Sequence, residues 1–170
     1  VAIPDGGLTI TNATVTMVTN QGQIAPSNAV TFNNNATLTL VGSNTLSSVT
    51  FNNYGSSAAP TLTIGSTLTL TSLSPVTVTT QDANYVPLIQ TGSLQLTSGT
   101  NTFSIGAPQI GGTMYSQTAV SMNVSGTIFG TGVSILKTGA GLLQLSSANS
   151  GFAGGVNVSA GGLVLANSST

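Results

Sequence analysis

The sequence predicts an all-β protein folded as a parallel β-helix, a solenoid of about seven to eight rungs. Two observations lead to this prediction: short runs alternate apolar and polar residues, and related segments recur with a period of roughly 19 to 24. A third removes the main alternative, because no stretch has helical spacing of apolar residues and the helix formers Glu and Arg are absent. Residues 1–170 are therefore interpreted as a single β-helix segment, belonging to a longer protein or to an assembly.

The alternating runs locate the strands. Successive side chains of a strand point to opposite faces, so alternation of apolar and polar residues indicates a half-buried strand. The clearest runs are 8–11, 36–40, 61–64, 67–70, 76–79 and 93–96. Gly, Asn, Ser or Pro bounds further predicted strands at 102–105, 120–124, 133–136, 142–145, 156–158 and 163–165.

The internal repeat distinguishes a β-helix from a sandwich. A sandwich needs hairpin turns every eight to twelve residues or so, and no Asn-Gly or Asp-Gly turn joins two alternating runs here. Coils of two or three short strands fit the observed period better. The related segments are 30–34 and 49–53, the Thr-x-Thr units beginning at Thr14, Thr37 and Thr61, and 143–145 and 163–165.

The amino-acid composition excludes most catalytic, metal-binding and nucleic-acid-binding functions. Thr, Ser, Asn and Gly make up half of the chain, and Lys137, Asp5 and Asp82 are its only charged side chains. His, Cys, Arg, Glu and Trp are absent, so no catalytic, metal or cofactor residues are predicted. One Lys cannot neutralise a nucleic-acid backbone, and no apolar run approaches the ~20 residues that cross a bilayer. The low charge leaves little repulsion between copies, which favours self-association.

The repeat also predicts where each residue type lies. Leu, Ile, Val and Phe of successive rungs fill a long core, Thr lines the outer faces, and Asn suits the corners because it tolerates left-handed backbone geometry. Asn side chains stacked at one corner can form a hydrogen-bonded ladder. The candidates for this ladder are Asn33, Asn34, Asn52 and Asn53.

Residues 130–165 contain several short motifs in a fixed order. A strand leads to Lys137-Thr-Gly-Ala-Gly141, a Leu-Gln-Leu strand, a loop with Asn149 and Phe152, a Gly-Gly step, another strand and a closing Ala-Gly-Gly-Leu-Val-Leu. Over this stretch the chain resembles the autotransporter-associated β-strand repeat. A departure is Gly162, where that family commonly has Thr.

The resemblance implies a right-handed parallel β-helix in a passenger-type surface protein of a diderm bacterium, displayed outside the cell. It further implies structural positions for seven residues of the motif. These are Lys137, Thr138, Gly139, Gly141, Gly154, Gly155 and Gly161.

We therefore expect a non-catalytic structural module of a secreted surface protein, a rod that forms an adhesin stalk or an extracellular filament. The expected partner is another copy, bound end to end or laterally, or the remainder of a larger chain. An uncapped β-helix end is an open sheet edge, so residues 1–12 and 160–170 are the predicted junction. No cofactor is expected.

A binding module is the alternative. Thr and Asn faces can bind a surface glycan, and outward Thr arrays can order water against ice; the candidate face is Thr14, Thr16, Thr37, Thr39, Thr61 and Thr63. The Thr-x-Thr units at 9, 14, 37, 61, 67 and 77 are irregularly spaced along the chain, which favours an ordinary strand-forming role for Thr. The aromatic residues that would favour a glycan are dispersed, with Tyr at 54, 85 and 115.

Other isolated features are interpreted as structural. Lys137 is predicted at a strand end with its stem packed on the coil, and Asp5 and Asp82 are predicted turn formers. The Gly-x-Gly units at 130–132 and 139–141 lack the context of a dinucleotide loop and are predicted turns. Five Asn-x-Ser/Thr triplets, at 12, 35, 123, 157 and 167, are expected by chance in a chain this rich in Ser and Thr.

Overall fold

A computed structural model describes residues 1–54, 56–80, 82–110, 113–114, 119–147 and 151–166. The strands in chain order are β1 Leu8–Thr11, β2 Thr14–Thr16, β3 Ala29–Asn33, β4 Thr37–Thr39, β5 Asn44–Leu46, β6 Ser48–Asn52, β7 Thr61–Thr63, β8 Thr67–Leu70, β9 Val76–Thr80, β10 Leu88–Gln90, β11 Ser93–Leu96, β12 Gly99–Ile105, β13 Gln109–Ile110, β14 Thr113–Met114, β15 Val120–Val124, β16 Thr127–Phe129, β17 Val133–Thr138, β18 Leu142–Leu145, β19 Val156–Val158 and β20 Gly162–Leu165.

Three sheets, all parallel, run along the molecule. The first sheet has the order β1-β3-β6-β9-β12-β17-β19, the second β2-β4-β7-β10-β15-β18-β20 and the third β16-β11-β8-β5. Strands β13 and β14 form a separate antiparallel pair. Each coil contributes one strand to the first and second sheets, which confirms the predicted parallel β-helix, with about seven rungs.

The repeats found in the sequence are successive coils. Strand β3 pairs with β6 so that Phe32 lies beside Phe51, and their rings stack with centroids 4.7 Å apart. Leu143 of β18 pairs in the same way with Leu163 of β20. Like residues therefore repeat because each occupies the same position in the coil, one rung further along the axis.

Coil length varies more than predicted. One outer column of the first sheet consists of Thr9, Thr31, Thr50, Thr77, Ser104 and Thr138. The sequence separation between its neighbours is shortest from Thr31 to Thr50 and longest from Ser104 to Thr138, so the expected regular period fails in the middle coils. The described part of this extra length lies between strands of the first and second sheets, and the longest coil holds the antiparallel β13–β14 pair there. Parallel pairing constrains the strands, whereas surface connections tolerate insertion.

The core consists of inward-facing columns. Val30, Val49 and Val76 form one column of the first sheet, and each is fully buried. The corresponding column of the second sheet includes Leu38 and Leu62, also fully buried. The outward residues between them are mostly half-buried Thr, so the alternation in the sequence gives the orientation of each side chain correctly.

Candidate functional site

Lys137 lies inside the solenoid. It is the fifth residue of β17, and strand pairing places it in an inner column between Phe103 of the previous coil and Val158 of the next. Its side chain has no measurable exposure to solvent. The sequence predicts a stem packed on the coil, and the structure shows a lysine that occupies a core position.

The Lys137 ammonium is bound by the backbone of one corner. Nζ donates hydrogen bonds to the carbonyl oxygens of Thr138 at 2.8 Å, Gly139 at 2.8 Å and Ala160 at 3.0 Å. Burial lowers the pKa of Lys137 from 10.5 to about 8, since the charged form loses its hydration. The Lys137 ammonium therefore links two coils through these hydrogen bonds. Because it is buried, it is inaccessible as a nucleophile, and its geometry is that of a structural cation.

Glycines make this corner possible. A Cβ on Gly139 would lie 2.3 Å from the Ile105 carbonyl oxygen, and one on Gly161 would lie 2.2 Å from the Gly141 carbonyl oxygen. Gly141 meets a similar obstacle, with 2.1 Å to the Gly106 oxygen. Three successive coils therefore turn with their backbones in direct contact, which only a residue without a side chain allows.

The second glycine pair of the motif behaves differently. A Cβ on Gly154 would lie 2.4 Å from the Val133 carbonyl oxygen, so close backbone packing requires glycine there. Gly155 has no neighbour within 4 Å of the added carbon, but its φ of +74° lies in the left-handed region. Thr138, the remaining motif residue, faces outward in the hydroxyl column of the first sheet.

Two of the four candidate ladder residues form a ladder. Asn33 Nδ2 donates to Thr11 Oγ1 at 3.0 Å, and Asn52 Nδ2 donates to Asn33 Oδ1 at 3.0 Å. The Thr79 hydroxyl in turn donates to Asn52 Oδ1. This chain of side-chain hydrogen bonds follows the axis across four coils on the outer face.

Asn34 and Asn53 have other roles. Asn34 adopts a φ of 56° at the corner and its Oδ1 accepts a hydrogen bond from the Tyr54 backbone amide at 3.1 Å. Asn53 is buried, and its Nδ2 donates to the Tyr85 carbonyl oxygen at 2.6 Å. These two residues hold corners and loops in place.

Buried asparagines at strand starts are a feature that the sequence reasoning missed. Asn28 Oδ1 accepts hydrogen bonds from the amides of Gly6 at 3.0 Å and Gly7 at 2.9 Å, and Asn44 Oδ1 accepts one from Gly22 at 2.9 Å. Both therefore hold the turn of the preceding coil. The signal in the sequence is an Asn two residues before an inward apolar residue, as in Asn28-Ala-Val and Asn44-Thr-Leu.

The third such residue, Asn101, donates to the Thr97 and Gly99 carbonyl oxygens at 2.9 and 3.1 Å. Its Oδ1 is buried without a hydrogen-bond partner among the described residues. On the preceding coil, the Leu73 carbonyl oxygen accepts a hydrogen bond from the Thr102 amide at 2.7 Å. Asn101 therefore fixes its own turn but does not reach to the neighbouring coil.

The candidate Thr face is assembled as two columns on the second sheet. Thr14, Thr37 and Thr61 lie in register on β2, β4 and β7. The second column consists of Thr16, Thr39 and Thr63 on the same strands. Rows in such a sheet are about 4.8 Å apart and alternate residues of a strand about 6.7 Å apart, so the six side chains form a regular lattice.

The lattice has defined borders. Thr37 Oγ1 donates to Thr14 Oγ1 at 2.9 Å, which links the first two rows. In the next coil Leu88 and Gln90 occupy the two columns and end the Thr array. Further Thr-x-Thr units lie elsewhere, including those at Thr9 and Thr77 on the first sheet and at Thr67 on the third.

An open groove of about 390 Å³ lies on the outer face of the first sheet, near its last two strands. The polar lining is uncharged and includes Thr100, Ser134 and Asn157, and the Thr100 and Ser134 hydroxyl oxygens are 3.2 Å apart. The groove could hold a neutral polar group but contains no acid or base. Over the parts of the chain that the structure describes, no cluster of metal-binding side chains is found.

The two acidic residues are far from Lys137 in the chain; Asp82 bonds within its own turn and Asp5 bonds to the next coil. Asp82 Oδ1 accepts a hydrogen bond from the Asn84 amide at 3.0 Å, the geometry of a turn-forming Asp. Asp5 accepts a hydrogen bond from the Ser27 hydroxyl. Tyr115, Asn149 and Asn167, named above, lie outside the described residues, as do residues 167–170 of the predicted junction.

No family model, curated protein or solved structure matches the chain. The resemblance of residues 130–165 to the autotransporter-associated repeat therefore stays a prediction from their sequence. Within the described ranges, none of the secondary structure is a helix with the length and apolar character needed to cross a membrane.

Proposed function

We propose that this chain is a non-catalytic structural segment, a rod within a secreted cell-surface protein. The observation that carries the proposal is the continuity of the first and second sheets through all seven coils. Each strand in their interior is hydrogen-bonded on both sides, and the core columns run along the same axis. Such a structure resists bending because every coil supports its neighbours.

The outer surface supports the same function. It consists largely of Thr, Ser, Asn and Gly, and the chain carries three charged side chains in 170 residues. The single cation is inside the solenoid, bound to carbonyl oxygens. A surface of this kind offers neither an acid–base pair nor a charged patch, and it allows close packing against other surfaces.

Display outside a diderm bacterium, as a passenger-type stalk or filament, is the part of the proposal that rests on the resemblance of residues 130–165. Immunogold electron microscopy on the cells that produce the protein tests it. We expect label on extended structures outside the outer membrane. Label confined to the cell interior would overturn the proposed location and the stalk or filament role with it.

A second candidate function is favoured by the Thr lattice of the second sheet. Strand pairing keeps the Thr side chains of successive coils aligned in these columns, even though the corners between the strands differ in length. An array of hydroxyl and methyl groups with two fixed spacings can order water as an ice surface does. The Thr lattice is small, because it spans three coils. Ice binding is therefore proposed in addition to the structural function and does not replace it.

A charged residue in the middle of the lattice tests this second candidate. We expect Thr39→Lys to abolish any inhibition of ice recrystallisation, because Thr39 lies in the central row. Thr45→Lys is the matched control, since Thr45 is an equally half-buried outward Thr in the same coil but on the third sheet. Absence of activity in the unmodified chain, or equal loss in both variants, would contradict ice binding.

A further inference from the structure

The two ends of the described solenoid carry unpaired strand edges. Strands β1 and β2 are the first members of the first and second sheets, and β19 and β20 are the last. Within the described residues each has a parallel neighbour on one side only. A strand in this state presents backbone donors and acceptors that a further parallel strand can satisfy.

The first and last coils have matching geometry. One inner column of the first sheet begins at Leu8 and ends at Val158, and one of the second sheet begins at Val15 and ends at Leu165. The first coil therefore takes as many residues to pass from Leu8 to Val15 as the last coil takes to pass from Val158 to Leu165. In the coil that begins at Val49 the corner is longer, and the second column is reached only at Leu62.

Equal steps mean that both pairs of strands can meet at once. If the last coil of one molecule lies beside the first coil of another, Val158 faces Leu8 in the first sheet and Leu165 faces Val15 in the second. A terminal coil with a corner as long as the one between Val49 and Leu62 could match one sheet, but it would bring a large loop to the junction.

The apolar side chains at the last coil are uncovered. Val158 is 40% exposed and Leu165 is 73% exposed, although both hold inward positions of their columns. On the first coil Leu8 and Val15 are partly buried. Asp5 is the only charged side chain on the first coil, and residues 151–166 of the last coil contain none, so no like-charged side chains oppose contact.

We infer that copies of this chain stack head to tail, with Val158 against Leu8 and Leu165 against Val15, so that the first and second sheets continue across the junction. The inference rests on the proposed rod function and names its partner as a second copy. Because the two contacting surfaces differ, any stack of copies has a free first coil at one end and a free last coil at the other. Repetition therefore gives an open filament rather than a closed dimer.

The absence of Cys from the chain allows a direct test by disulfide trapping. Thr14 and Val164 belong to one outer column, so the junction places Val164 of one copy beside Thr14 of the next. Parallel neighbours have Cα atoms about 4.8 Å apart, within the range for a disulfide. We expect the Thr14→Cys, Val164→Cys double variant to form covalent dimers, trimers and longer ladders on mild oxidation.

The matched control moves one partner by two residues on the same face. In Thr16→Cys, Val164→Cys the junction holds the Cα atoms about 8 Å apart, beyond disulfide reach. Both variants keep two thiols on the outer face, so random collisions affect them alike. Each single variant is limited to covalent dimers. Ladders at least fivefold more abundant in the first double variant than in the control are expected.

Equal ladder formation in the two double variants, or none in either, would overturn head-to-tail stacking. The end would then be free for another coil of a longer chain or for a different partner. Immunogold label on extended surface structures would still support the rod in that case. Conversely, ladders formed by a protein located inside the cell would support stacking while overturning the surface function.

Discussion

Replacement of Gly139 by Ala is expected to lower the free energy of unfolding by about 3 kcal/mol. Two effects add at this position. The residue has a φ of +76°, which is strained for any residue with a Cβ, and the new carbon would lie 2.3 Å from the Ile105 carbonyl oxygen. The backbone of the neighbouring coil is not free to move away, because Gly141 donates its amide hydrogen to the same carbonyl at 2.9 Å.

Gly155→Ala separates the two effects. Gly155 has nearly the same φ, +74°, but its added carbon would have no neighbour within 4 Å. Only the backbone strain remains, so a loss of about 1 kcal/mol is expected. Chemical denaturation followed by circular dichroism measures both. Equal losses in the two variants would show that the close approach of the coils at Gly139 does not add to the destabilisation.

The second large effect concerns pH and Lys137. We expect the free energy of unfolding of the wild type, measured relative to that of Lys137→Met, to rise by on the order of 2 kcal/mol between pH 8 and pH 10.5. Burial places the folded-state pKa at about 8, below the ordinary value of 10.5. Within this window the unfolded chain binds more protons than the folded one, so the free energy of unfolding of the wild type increases with pH.

Well below pH 8 lysine is protonated in both states, and the difference between wild type and variant is expected to be constant. Denaturation of both proteins at a series of pH values measures this difference, and Lys137→Met changes no other residue of the chain. A difference that shrinks as the pH rises would reverse the assignment. The hydrogen bonds to Thr138, Gly139 and Ala160 would then outweigh the desolvation of the ammonium.

Alternation in the sequence was enough to predict the strands and their inner faces. Successive residues of a strand point to opposite sides, so Phe32 and Phe51 had to face inward once Thr31 and Thr50 faced outward. The same rule limits the predicted Asn ladder. Asn52 follows the inward Phe51 and faces outward, whereas the next residue, Asn53, is buried and cannot continue the ladder.

The repeat spacing predicted the solenoid but not the length of its coils. The short step from Val30 to Val49 and the much longer step from Phe103 to Lys137 are both single turns of the same sheet. Strand pairing fixes register, and a corner loop of almost any length satisfies it at little cost. Distance along the sequence therefore does not reveal which residues are neighbours across coils.

An all-β chain with only three charged side chains, apolar columns inside and Thr outside can be predicted from the sequence, because strand periodicity is a local property. Which Thr side chains share a lattice depends on the tertiary structure. So does the source of the carbonyl oxygens around the Lys137 ammonium, which come from its own corner and from Ala160 in the next coil. These contacts depend on how the coils stack along the axis. That stacking follows from backbone pairing across the coils, whose partners alternation within a single strand does not identify.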